Sequence, residues 1–294
     1  MRPEASSAEA APLTADLSTA GSARIPANRV GALAHSTSPA TTNFQVDAAF
    51  NTQRSYGGGS CVAPHHLAVN AGRDVLKQGG NAVEAIVAAA ATYPHMNAVG
   101  GDGFWLINEP GKAPVAINAC GGAAQLATPG FYSGKQDVPE RGAEATLTMA
   151  DTVSGWQKAL DIGADWGTPL PLGTILRDAI RYAEQGIAVS RSQATLTRKH
   201  VERLSQSPGF NESFLIDGEI PLEGQRLRQS RLATTLRRLA SARLDDFYRG
   251  EPAQSMAMDL EALGSPLRLK DFHDYQAQVV TPLEVALKDA THAL

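Results

Sequence analysis

The segment that most constrains this chain is AVEAIVAAAAT, residues 82–92, which carries small apolar side chains on nearly every face. A surface helix of a globular protein needs only one apolar stripe, whereas a helix apolar all round has to be covered on all sides. Small side chains also let neighbouring elements approach closely, so this helix is expected inside a layered fold and not at its surface. Its start is marked. Asn81 is a candidate N-cap, and Glu84 stands three residues on as in a capping box, with Asn in place of Ser or Thr. Residues 67–78 before it have helical character, and Gly79-Gly80 ends that run, because glycine adopts the left-handed conformation at a helix C-terminus without steric cost.

Beyond this centre the pattern changes. FWLIN and APVAIN, residues 104–108 and 113–118, read as two short strands joined by the turn Glu109-Pro110-Gly111-Lys112, which predicts a buried hairpin. From residue 150 the chain reads as mostly helical. Leu172, Ile175, Leu176, Ala179, Ile180 and Ala183 recur at offsets of three and four, and Gly186 closes that amphipathic helix. A second helix is expected over 230–242, and Asp245-Asp246-Phe247-Tyr248 begins another short element. Residues 1–50 are rich in Ala, Ser, Thr and Pro with few large apolar side chains. Such a segment cannot bury enough surface to offset its ordering entropy, so it is read as a flexible low-complexity tail. Gly57, Gly58 and Gly59 mark a loop at the start of the ordered region, residues 51–294. A hairpin after helices, followed by a long helical stretch, points to an α+β or layered α/β architecture.

Composition removes several function classes. A chain of 294 residues with 43% hydrophobic residues can bury a substantial core. The formal net charge of -4 offers no positive footprint for nucleic acid. Arginines gather at Arg226, Arg228, Arg231, Arg237, Arg238 and Arg243, but Leu232, Leu236 and Leu239 fall between them at helical spacing, as on a solvated helix face. Cys61 and Cys120 sit in no CxxC or Cys/His spacing, so no structural zinc is expected; one disulfide between them stays open. No apolar stretch reaches the length of a membrane span. The N-terminus lacks a continuous apolar core of a secretion signal, so a cytoplasmic location is the default expectation.

Motifs of other chemistries are absent or incomplete. Gly100, Gly101 and Gly103 lack the Lys-Ser/Thr of a phosphate-binding loop and precede a strand, not a helix. Close backbone approach in the core is the alternative reading for these glycines. No HExxH or GxSxG pattern is present. His65 and His66, beside a proline before a helix, and His95, beside Pro94, are read as structural histidines.

The order of segments along residues 61–285 carries a family resemblance. VAPHHLAVNAGRDVLKQGGNAVEAIVAAAA resembles the opening signature of γ-glutamyltransferases, and YPHMNAVGGDGFWLI resembles their Pro-His followed by a Gly-Gly-x-Gly-Phe loop and strand. DTVSGWQKAL, PLPLGTILRDAIRYAEQGIAVS, LATTLRRLASARLDDFYRG and LKDFHDYQAQVVTPLEV resemble, in turn, the family's Gly-Trp segment, the helix after it, a Phe-Tyr-x-Gly stretch and a segment near the end of the large subunit. No single motif is specific; their order is. The resemblance implies the N-terminal-nucleophile hydrolase fold, an αββα sandwich of two stacked sheets between helical layers, of which this chain would be a large-subunit portion. It implies a zymogen that cleaves itself, a threonine at the new N-terminus as nucleophile with its own α-amino group as base, a small-molecule amide substrate in the setting of glutathione metabolism, and no metal or organic cofactor.

Three departures qualify that expectation. The nucleophile is expected beyond residue 294, in a small-subunit segment. Thr291, although followed by His292, is rejected as nucleophile, because VVTPLEVALKDA already matches an earlier element and no strand is expected there. The family's arginine for the substrate α-carboxylate falls at Cys120, and cysteine cannot replace that charge. Thr92 runs directly into Tyr93-Pro94-His95, where the family usually has more apolar residues. The candidate substrate-contacting positions are therefore Asn118 and Cys120 at the end of the second strand, and Gly100 and Gly101 in the loop before the first. The functions to separate are γ-glutamyl-type acyl transfer or amide hydrolysis, an acylase-type amidohydrolase with a non-glutamyl substrate, and a catalytically inactive structural or interaction subunit.

Overall fold

The computed structural model describes residues 59–92, 99–287 and 290–293. The tail over 1–50, the glycines at 57 and 58 and the Tyr93-Pro94-His95 segment lie outside the described residues. In chain order the elements are α1 (His66–Lys77), α2 (Ala82–Thr92), β1 (Gly103–Ile107), β2 (Val115–Ala119), α3 (Thr152–Gly163), α4 (Leu172–Ile175), α5 (Arg177–Gln185), β3 (Ile187–Ala188), α6 (Arg191–Leu204), α7 (Phe210–Phe214), β4 (Arg226–Leu227), α8 (Ser230–Ala242), α9 (Asp246–Arg249), α10 (Glu251–Ala262), α11 (Leu269–Asp274), β5 (Gln278–Val280), β6 (Glu284–Leu287) and β7 (Ala290–Ala293).

Helix α2 takes the central place its composition predicts. Val83, Ala85, Val87, Ala88 and Ala89 are buried, and the helix touches α1, α3, α4 and α5. The capping box forms with asparagine: Asn81 Oδ1 accepts from Glu84 N at 3.0 Å, and Glu84 Oε2 accepts from Asn81 N at 2.7 Å. Glu84 also ties in a distant segment, since its Oε1 accepts from Leu170 N at 2.7 Å. Gly79 takes φ +89° at the end of α1, the left-handed conformation that the Gly-Gly stop requires.

The amphipathic stretch expected to run from Leu172 to Gly186 is broken. The backbone at Leu176 (φ −87°, ψ −2°) separates α4 from α5, and the two adjacent residues Ile175 and Leu176 both enter the core. Helix α8 matches its predicted bounds. Leu236 and Leu239 are fully buried, while Arg238 pairs with Asp246 and Glu251 and Arg237 pairs with Glu184. Of the six clustered arginines, Arg231, Arg237 and Arg238 lie on α8, the last two with acidic partners, whereas Arg226 falls in β4 and Arg243 just past the helix end. Both cysteines are free thiols.

Strands β1 and β2 form the expected antiparallel hairpin, displaced by one or two residues from the sequence reading, but it is buried on one face only. The strand β5 on the other side of β2 was not anticipated; the sheet order is β1-β2-β5. One sheet face packs against α3 through Trp105, Ile107, Ile117 and Ala119. The opposite face stays open, with Phe104 72% and Leu106 48% exposed and Val280 beside them. The expected pair of stacked sheets is not formed by the described residues. They contain this three-stranded sheet and two two-stranded ones, β3-β4 and β6-β7. One further expectation is corrected: Thr291 does lie in a strand, β7, paired with Ala286 of β6.

An open apolar sheet face promotes association. We therefore expect this chain, expressed alone, to elute above monomer mass in size-exclusion chromatography, and Phe104→Lys to shift it toward monomer. A clean monomer from the unmodified chain would show that this face is covered.

Candidate functional site

Three backbone segments converge at the exit of β2. The loop before β1 is fixed by its Gly101 carbonyl, which accepts from Asp151 N at 3.0 Å and Thr152 N at 2.8 Å. The Thr152 hydroxyl lies 2.7 Å from that carbonyl and 3.0 Å from the carbonyl of Asp102. The stretch after β2 runs beside residues 147–149: Met149 N donates to Gly122 O at 3.1 Å and Ala124 N to Leu147 O at 2.7 Å. The predicted positions Gly101, Asn118 and Cys120 thus fall together, with Gly100 on the same loop. The close approach expected at the loop glycines occurs elsewhere. A Cβ on Gly100 would meet nothing nearer than 4.0 Å and one on Gly103 nothing nearer than 3.7 Å. The tight glycine is Gly121, where a Cβ would sit 2.2 Å from the Met149 carbonyl oxygen, 2.8 Å from Met149 N and 2.9 Å from Asp151 Oδ2.

The side chains at this corner are acidic. Asp102 Oδ1 accepts from Gly121 N at 3.4 Å, and Asp102 Oδ2 lies 3.9 Å from Cys120 Sγ. Asn118 Oδ1 accepts from Cys120 N at 3.1 Å. The Asp102 carboxylate, then partial burial and the Asp151 carboxylate, push the Cys120 thiol above its ordinary pKa. The thiolate is the nucleophilic form, so Cys120 is held in its unreactive form.

Asp151 is fully buried. By position it is the N-cap of α3, yet it makes no capping bond. The N–H it would cap, on Ser154, instead donates to the Tyr248 hydroxyl at 2.9 Å, and that hydroxyl donates to Ala150 O at 2.8 Å. Ser154 in turn accepts from Ala277 N through its Oγ at 2.8 Å, which holds the segment leading to β5. Neither Asp151 oxygen has a partner of normal hydrogen-bond geometry. Burial therefore raises its pKa to about 7; the nearby Tyr275 hydroxyl opposes the rise and Asp102 adds to it. A carboxyl group that gains a proton near neutrality is the chemical peculiarity of this site.

Asp102, Asp151, Tyr248 and Tyr275 were missed by motif reading. Asp151 before a helix looks like an ordinary N-cap, and nothing in the local sequence shows that a tyrosine almost a hundred residues away takes over the capping. The corner contains no activated nucleophile among its described residues: the Cys120 thiol is pushed toward its protonated form and the Thr152 hydroxyl is engaged with carbonyls.

Comparison with known proteins agrees with the order of segments. Residues 68–293 match the family described as Gamma-glutamyltranspeptidase. The chain belongs to this family. Within the gamma-glutamyltranspeptidase family it is 49% identical over 238 residues to the oxamate amidohydrolase proenzyme of Klebsiella pneumoniae, covering 79% of this chain and 45% of that protein. It is 34% identical over 227 residues to a glutathione hydrolase-like proenzyme of Bacillus subtilis, covering 76% of this chain and 42% of the relative. The chain thus spans less than half the length of these two relatives. Among solved structures, the gamma-glutamyltranspeptidase of Pseudomonas nitroreducens superposes with a TM-score of 0.72 at 30% identity, over 81% of this chain and 71% of that one. The mixed helix-and-sheet layer seen here is therefore the gamma-glutamyltranspeptidase arrangement over this part of the fold.

Proposed function

We propose that this chain is the large-subunit part of an amidohydrolase that cleaves a small amide, and that the nucleophile is an N-terminal threonine on polypeptide outside residues 1–294. The threonine hydroxyl attacks the amide carbonyl while its own α-amino group takes the proton. The amine leaves with a proton, and water then resolves the acyl-enzyme to the acid. This chain orients the acyl group at the β2 exit, and its open sheet face, with Phe104 and Leu106, meets the second sheet of an αββα sandwich.

The observation that carries the choice of hydrolysis over γ-glutamyl transfer is the charge at Cys120. A γ-glutamyl group needs a cation for its α-carboxylate, and arginine supplies it with two hydrogen bonds. Here the position holds a neutral thiol 3.9 Å from the Asp102 carboxylate. The likeness to a protein named oxamate amidohydrolase supports amide hydrolysis; the oxamate carboxylate is bonded directly to the scissile carbonyl, nearer the nucleophile than a γ-glutamyl α-carboxylate, and so does not call on a cation at the Cys120 position. A non-catalytic interaction subunit is the alternative, and the absence of an activated nucleophile at the described corner is consistent with it.

The test uses the full-length polypeptide that carries this chain, with ammonia release from oxamate set against anilide release from a γ-glutamyl anilide. We expect oxamate hydrolysis to be the more efficient by kcat/KM. Cys120→Arg should lower KM for the γ-glutamyl anilide about tenfold, the size of one charge-assisted pair. Thr291→Ala should leave both activities in place. A wild-type protein that prefers the γ-glutamyl anilide would sink the proposal, and turnover of neither would favour the non-catalytic alternative.

A further inference from the structure

The exit of β2, Cys120–Gly122, is a short stretch between fixed neighbours. Upstream, Ala119 pairs with Gly103, and Asn118 pairs with both Phe104 and Gln278. Downstream, Ala124 N donates to Leu147 O at 2.7 Å and Gln125 N to Asp271 Oδ1 at 2.9 Å. The facing segment is held independently. Thr146 O accepts from the Ser265 hydroxyl at 2.6 Å, and Ala150 O accepts from the Tyr248 hydroxyl at 2.8 Å. Between these anchors the exit is closed onto the facing segment by the bond from Met149 N to Gly122 O at 3.1 Å. It contains two adjacent glycines, whose backbone changes conformation at little steric cost. Directly beneath lies Asp151. A Cβ on Gly121 would stand 2.9 Å from its Oδ2, and the carboxyl is fully buried with both oxygens unpartnered.

We infer that Asp151 is a positioning residue: its protonated form seats the Cys120–Gly122 exit, and its ionisation lifts the exit off Met149 and weakens substrate binding. The described groups that face Asp151 carry no positive charge. They are Asp102 from the loop before β1, Cys120 from the exit itself, Tyr248 from α9 and Tyr275 from the segment before β5. Arg249 of α9 lies beyond the Tyr248 ring, and its guanidinium bonds Asp245 and the Tyr275 carbonyl. The Ser154 N–H, the donor that an N-cap carboxylate would use, is held by Tyr248. A carboxylate formed here therefore has to reach water, and the glycine-rich exit is the part of its cover that can yield. The effect on binding rests on the amidohydrolase reading, which puts the acyl group at the β2 exit. With ionisation centred near pH 7, the seated fraction falls from about nine-tenths at pH 6 to about one-tenth at pH 8, and apparent affinity falls in proportion.

The test uses the full-length polypeptide and two readouts. KM for oxamate should rise about tenfold from pH 6 to pH 8 in the unmodified protein, and Asp151→Asn should flatten that rise. The pH profile of kcat, which carries the titration of the nucleophile's own α-amino group, should be common to both proteins. Hydrogen exchange at the Met149 N–H, corrected for the chemical effect of pH, should lose about tenfold of its protection over the same range in the unmodified protein and none in the variant. The Ala124 N–H, bonded to Leu147 outside the exit, should keep its protection in both, a split that general loosening of the fold would not produce. Asp151→Ser, equally uncharged and a good N-cap, serves if Asp151→Asn folds poorly. Met149 protection that is the same at pH 6 and pH 8 in the unmodified protein overturns the inference, whatever the substrate. A KM profile that the uncharged variants leave unchanged overturns it too, and leaves the amidohydrolase reading in place. Turnover of no amide, together with the Met149 difference, overturns the amidohydrolase reading and leaves the proton-linked exit standing.

Discussion

Asp151→Asn will raise the thermal midpoint of the protein at pH 8 and leave it nearly unchanged at pH 4. The carboxyl of Asp151 is buried with both oxygens unpartnered, and its pKa is about 7 against an ordinary value of 3.8. The folded state therefore binds a proton that the unfolded state has lost. Stability from this group is fully present below pH 4, and it is lost as pH rises through 7, where folding has to hide a charge. At about 1.4 kcal/mol per pH unit, the difference across that window has an upper bound of about 4 kcal/mol. Asp102 and Cys120 open this corner to water on one side, so about half of that is a realistic expectation. An asparagine has nearly the same shape and no charge to hide. With about 2–4 °C per kcal/mol for a domain of this size, the variant should melt several degrees higher at pH 8. Parallel melting profiles for the two proteins from pH 4 to pH 8 would show that Asp151 is ionised throughout and has a partner.

Gly121→Ala will be the most damaging single-methyl change at the site, and Gly122→Ala, one residue on, will be close to neutral. At Gly121 the new Cβ would stand 2.2 Å from the Met149 carbonyl oxygen and 2.8 Å from Met149 N. These are backbone atoms of a segment held by the Met149-to-Gly122 bond and by the Ala123–Thr148 bridge, so no side-chain rotation relieves the clash. Relief requires the β2 exit to separate from residues 147–149. Overpacking costs about 1–3 kcal/mol when side chains can adjust and more when backbone has to move, so a loss of about 3 kcal/mol or more is expected. At Gly122 a Cβ meets nothing within 4 Å. The comparison is made by thermal unfolding, with substrate KM measured at a temperature where both proteins are folded. The alanine at 121 should also raise KM, since Cys120 and the Asp102 contact move with the strand exit. Equal melting temperatures for the two alanine variants would mean that the two segments do not approach as described.

Two helices, the hairpin and the ancestry are legible in the residues alone. The Asn81–Glu84 capping box, the Gly79 stop, the bounds of α2 and α8 and the β1–β2 hairpin all follow from rules that act within a few residues, where side-chain chemistry and backbone geometry are coupled directly. The ordered run of segments from Cys61 to Val285 was enough to indicate the gamma-glutamyltranspeptidase family, because order along a chain needs no coordinates. Cys120 stands out in the same way, since the loss of a cation is visible in one letter. The tertiary structure decided what surrounds Cys120. Asp102 comes from the loop before β1, Asp151 from the start of α3 and Tyr275 from the segment before β5; only the packing of that sheet on α3 brings them together. The orphaning of Asp151 is the clearest case. Locally it is an N-cap aspartate, and a local rule assigns it a bond to the helix. The Tyr248 hydroxyl takes that N–H from across the core, and the carboxyl is left buried, unpaired and protonated near neutrality. Strand β5 and the break at Leu176 were illegible for the same reason: each is fixed by contacts between segments far apart in the chain, and those contacts override the local pattern.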